Sequence, residues 1–201
     1  MAADRVIKFA LVACAFVTGL CLSRVKKSRD GRLLNLAMFF TLIADYFMVL
    51  RGENLPGLAF FNAAQFTYFI RYNPGGKGAA LRLLGVLVCL NLFRQTKAPF
   101  FIPGVLAVKS LEAALVASYA AGLIANVCDA WRNFRKGGGK EAFLAFLGMF
   151  LFFLCDLNVA LMNIYSGYPV SRVFDALIWV FYIPSQFVLA VSGSYLKTTA
   201  V

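Results

Sequence analysis

Residues 142–163 read AFLAFLGMFLFFLCDLNVALMN, an apolar run whose one charged side chain, Asp156, lies deep inside it. About 20 consecutive apolar residues cross the hydrocarbon core of a bilayer as a helix. Burying an ionisable group in such a helix costs about 3 kcal/mol on insertion scales, so the group normally faces a bundle interior. Residues 33–50, LLNLAMFFTLIADYFMVL, repeat the arrangement with Asp45. The 201-residue chain shares this character: 61% hydrophobic, 14% charged, with a mean hydropathy of +0.76. A soluble domain carries about 25% charged residues. Lipid is therefore the solvent, and soluble function classes are excluded.

The chain has no histidine. That removes a Ser-His-Asp triad, a Cys-His pair and histidine-based zinc or iron sites. The five cysteines (Cys14, Cys21, Cys89, Cys128 and Cys155) are scattered and form no C-x-x-C pair, so they read as packing residues. LVAC, ending at Cys14, matches a lipoprotein cleavage box in letters only. Lys8 interrupts the short apolar stretch before it, and the run continues past it, so no cleavable leader is expected. NPGGKG and RKGGGKE lack the phosphate-loop spacing and follow no strand. No metal and no cofactor are expected.

Apolar runs between charged breaks fall at 6–23, 33–50, 56–70, 81–93, 102–128, 142–163 and 173–196. They predict an all-α membrane protein, one polytopic domain over residues 1–201, built as a single bundle of about seven transmembrane helices, with eight as the alternative count. The third and fourth runs are short and are expected to recruit flanking residues. Lysine and arginine set the orientation. SRVKKSRDGR, RYNPGGKG with Arg82, WRNFRKGGGK and Lys197 hold thirteen, against six on the other side and Lys109 inside a span. The positive-inside rule then puts the N-terminus outside and the C-terminus in the cytoplasm. The expected location is a cell membrane, the bacterial inner membrane by preference. The net charge of +11 belongs to this topology and to anionic headgroups, not to nucleic acid.

Helical rise places the buried polar groups. Asp45 and Asp156 lie about 18 and 20 Å from the cytoplasmic ends of their runs, hence at one height toward the outer leaflet. Lys109, Glu112, Tyr119 and Asn126 share one helix face. Asp175, Trp179, Tyr182 and Gln186 share another, Asn62, Gln65 and Tyr72 a third, and Asp156 and Asn163 a fourth. Such stripes line a cavity or hold helices together by hydrogen bonds. Lys109 and Glu112 are spaced to neutralise each other. Pro184 is expected to kink the last helix.

The order of motifs resembles the YhhN family of integral membrane proteins, which includes the animal lysoplasmalogenases. Ala44-Asp45 stands where that family carries Gly-Asp. Phe61, Gln65 and Tyr68 keep the spacing of its F-x-x-x-H-x-x-Y signature, with Gln65 in place of the histidine. Cys155-Asp156 matches a later Ser-Asp or Ser-Asn, and Tyr182 with Gln186 matches its last span. The resemblance runs from about Val6 to Leu196. The family usually has eight spans, and the first of them is expected to be missing here.

The resemblance implies hydrolysis of the vinyl ether bond of a lysoplasmalogen, giving a fatty aldehyde and a glycerophospho-alcohol. Such chemistry asks for a carboxylic acid to protonate the enol ether carbon and a carboxylate to activate water or stabilise the cation. Asp45 and Asp156 are the expected catalytic pair. Gln65, Tyr68, Tyr182, Gln186, Asn62, Glu112 and Lys109 are the expected substrate-binding groups, and the partner is a membrane lipid or lysolipid. A non-enzymatic lipid-binding, transport or structural protein of the same fold is the alternative.

Overall fold

The computed structural model describes residues 2–25, 28–73 and 110–193. The fourth expected run, the start of the fifth with Lys109, and Cys89 lie outside these residues. Six helices are present among those described, with no strand: α1 (Ala2–Val25), α2 (Arg29–Asp45), α3 (Asn54–Tyr72), α4 (Ser110–Arg135), α5 (Gly139–Ile164) and α6 (Ser171–Ser192). All but α3 are long and apolar enough to cross a membrane. α3 carries Gln65, Thr67 and Arg71 on its buried face.

Local sequence explains most helix ends. Ser28 has an extended backbone, and its hydroxyl accepts from Gly31 N at 3.0 Å, capping the start of α2. α2 does not stop at Asp45 but widens into one π-helical turn, Tyr46–Arg51. Gly52 then breaks it with φ +70°, a left-handed conformation that costs glycine nothing. The fifth run predicts an end near residue 128, yet α4 continues to Arg135 through WRNFR. Arginine is a good helix former, and the helix ends only before Gly137, at φ +90°. α6 absorbs Pro184 without losing continuity; Ser185 Oγ donates to the Tyr182 carbonyl at 2.7 Å beside it.

Each helix packs on its neighbours in sequence, and α6 returns to α1, closing a ring. The interior is filled by Leu34, Met38, Tyr68, Met149, Phe152 and Leu189, with alanines where helices approach closely. Val6, Val17, Phe39, Ile124, Phe150 and Val180 point outward. That apolar exterior suits lipid contact, where helix association rests on close packing and buried hydrogen bonds. Gly148 shows the closeness: a Cβ there would lie 2.7 Å from Leu189 Cγ and 3.1 Å from its backbone nitrogen.

Candidate functional site

Asp45 is the last residue of α2 before the π-helical turn and is 3% exposed. Tyr182 of α6 donates its hydroxyl to Asp45 Oδ2 at 2.5 Å. Asp156 of α5 accepts from the Tyr119 hydroxyl of α4. Asp156 remains partly exposed. The two carboxyls are close enough to act on one another electrostatically, and Cys155 feels both. Two residues 111 positions apart in the chain are thus held by matching devices, each a tyrosine from a different helix.

Aromatic rings close the space between these pairs. Phe152, fully buried, lies 5.5 Å from the Tyr182 ring and 6.2 Å from Phe61, and Phe61 lies 5.5 Å from Tyr119. On the far side of Tyr182, Trp179 meets it edge-on at 5.8 Å. Lys8 Nζ sits 4.5 Å above the Trp179 ring and pairs with Asp4 at 2.9 Å. The result is an unbroken run of packed rings that joins the two tyrosines holding the carboxyls.

Gln65 and Gln186 lie one turn further along α3 and α6 than Phe61 and Tyr182. Gln65 Oε1 and its backbone carbonyl both accept from Asn126 Nδ2 at 2.8 Å, while Gln65 Nε2 lies beside the Tyr119 hydroxyl. Gln186 is one turn beyond Tyr182, with Nε2 3.3 Å from Ser185 Oγ. Tyr68 is fully buried one turn below Gln65.

The other expected residues sit differently. Asn62 Nδ2 donates to the Leu58 and Leu115 carbonyls, and its Oδ1 accepts from Ser118 Oγ at 2.8 Å, so it joins α3 to α4. Glu112 is in the first turn of α4, partly buried, about 10 Å of helix above Tyr119. Lys109 falls outside the described residues. Tyr119 was legible as part of a polar face but not as the partner of Asp156. Phe152 had no signal at all, being one phenylalanine among many in its run. Among the described residues, no group of three or more Cys, Asp or Glu is placed to hold a metal ion.

Two carboxyls are thus each held by a tyrosine hydroxyl, Asp45 buried and Asp156 partly exposed. The YhhN family model matches residues 3–193, nearly the whole chain. No curated protein and no solved structure matches.

Proposed function

Because the chain belongs to the YhhN family, we propose that it is a lysoplasmalogenase-like hydrolase that cleaves a vinyl ether bond within the membrane, with Asp45 and Asp156 as the reacting pair. The observation that carries this is the pairing of each aspartate with its own tyrosine, Tyr182 and Tyr119, the two joined through the rings of Phe152 and Phe61. In this reading one carboxylic acid protonates the β-carbon of the enol ether, which leaves an oxocarbenium ion. Water then adds to the carbon bearing oxygen, and the other carboxylate takes its proton. The hemiacetal so formed collapses to a fatty aldehyde and a free glycerol hydroxyl. Atoms balance with one water consumed.

Exposure separates the roles: Asp156, partly exposed and served by Tyr119, is assigned the carboxylate, and Asp45, more enclosed and served by Tyr182, is assigned the acid. The rings of Phe61, Phe152 and Trp179 provide an apolar wall for the alkenyl chain. Partly exposed Asp156, beside outward-facing Leu157, marks the side from which a single-chain lipid enters.

Gln65 favours a second reading, lipid binding without turnover, since an amide cannot pass a proton as the family's histidine can. Aldehyde release from a lysoplasmalogen by the purified protein in lipid nanodiscs separates the two. Turnover is expected in the wild type and a loss of at least about 100-fold in Asp45→Asn and in Asp156→Asn. Absence of aldehyde, or unchanged turnover in both variants, would reject the hydrolase.

A further inference from the structure

Six buried side-chain polar atoms make no hydrogen bond of good geometry among the described residues, although Gln65 adjoins the Tyr119 hydroxyl and Arg71 the Tyr72 hydroxyl: Asn35 Oδ1, Gln65 Nε2, Tyr68 Oη, Arg71 Nη1, Tyr72 Oη and Gln186 Oε1. Buried polar groups are almost always satisfied, so each exception asks for a cause, and ordered water is the commonest. Here the exceptions are not scattered. Five of the six belong to α3 and α6, and they follow one another along the bundle.

Gln65, Tyr68 and Tyr72 share a face of α3 and cover about 10 Å of its length. The Tyr68 and Tyr72 rings stack at 6.2 Å, and the Arg71 guanidinium lies 5.4 Å from the Tyr72 ring. The Tyr72 hydroxyl lies within reach of that guanidinium. At the base, Arg71 Nε and Nη2 bind Asp30 at 2.8 and 2.9 Å, and Nη2 also reaches Ser192 Oγ at 3.0 Å. Nη1 is left over. At the top, Gln65 adjoins Tyr119, which serves Asp156, and Gln186 is one turn from Tyr182, which serves Asp45.

A lipid headgroup does not account for this column. Held at Arg71, it would lie about 15 Å from Tyr182 by the helical rise between Tyr182 and Ser192, farther than a glycerol backbone reaches. An alkenyl chain has no use for five polar atoms. Water has, because it both donates and accepts, and this set contains both kinds: amide and guanidinium N–H, an amide carbonyl and hydroxyls.

We propose that α3 and α6 enclose a water track, entered beside Arg71 and Asp30, that delivers the consumed water to the aspartates from the side opposite the lipid. Its role in turnover rests on the hydrolase reading; its existence does not. The track stops between Gln65 and Gln186, so one water positioned there lies next to both tyrosine–aspartate pairs. Under the positive-inside orientation its mouth faces the cytoplasm.

X-ray radiolysis in oxygen-18 water tests it on the wild-type protein in nanodiscs, because hydroxyl radicals formed from bound water mark only the side chains that touch it. Oxygen-18 is expected on Tyr68 and Tyr72 but not on outward-facing Phe150. After rapid mixing into labelled water, Tyr72 is expected to gain label before Tyr68, and Tyr68 before Tyr182. Tyr68 and Tyr72 marked no more than Phe150, or label arriving in the reverse order, would overturn the track. Tyr68→Phe is expected to lower kcat roughly tenfold, the loss of one hydrogen bond to the water, with KM unchanged. Labelled tyrosines with no aldehyde from the wild type would support the track and reject the hydrolase. Aldehyde with unlabelled tyrosines would do the opposite.

Discussion

Tyr182 holds Asp45 through one hydroxyl while its ring packs on Phe152 and Trp179, so the two contributions can be separated by one atom. Tyr182→Phe keeps the rings and removes the donor. A hydrogen bond to a charged or polarised carboxyl is worth about 1.5–3 kcal/mol, so kcat is expected to fall about 10- to 100-fold with little change in unfolding temperature. Turnover equal to wild type would make Tyr182 a packing residue. The acid and base roles predict a bell-shaped dependence of kcat/KM on pH, and Asp156→Asn removes the base's limb from whatever activity survives. A profile of unchanged shape in that variant would separate Asp156 from the chemistry. Gln65→His, which installs the ring at the position beside Tyr119, is expected to raise aldehyde release above wild type, and release below that of Gln65→Ala would contradict a proton-passing role there.

Helix pairing decides how firmly these residues are held. α5 carries Asp156 and α6 carries Tyr182, and they approach through Gly148, where any side chain meets Leu189. Gly148→Val is expected to destabilise the bundle by about 1–3 kcal/mol through overpacking. Adding Leu189→Ala restores part of that loss, which a double-mutant cycle in detergent unfolding measures. Additive losses would mean that the two positions do not meet. Much at this scale was readable in the letters. Asp45 and Asp156 stand out because charge in hydrocarbon is rare, and the i, i+4 spacing of Tyr182 and Gln186 gives them one face. The end of α4 was misplaced because arginines after an apolar run look like a membrane exit while still being good helix formers. Asn62 was legible as buried polarity, but a seam and a site use the same side chain. Only the partners, Leu58, Leu115 and Ser118, show that it stitches α3 to α4.

The closed ring brings together parts of the chain whose relation no local pattern carries. Arg71 precedes YNPGG and in sequence is one more basic residue of a connecting segment, yet its side chain is 1% exposed. Its partners are Asp30, 41 residues back, and Ser192, 121 residues on, so a single guanidinium ties α3 to the start of α2 and the end of α6. Spacing along a sequence cannot reveal a contact that depends on six helices closing a circle. The same closure gives the ion pair its weight: Asp30 is 19% exposed, and water replaces its partner only in part. Arg71→Met leaves that carboxylate without its cation, at an expected cost of about 3–5 kcal/mol. Arg71→Met combined with Asp30→Asn removes both charges and is expected to recover most of the loss, because replacing a buried pair by neutral groups is often close to neutral overall. Thermal unfolding in detergent reads both variants. A single variant as stable as wild type would show that the ring closes without this lock, and a double variant no better than the single would place Arg71's value in Ser192 and the tyrosines instead.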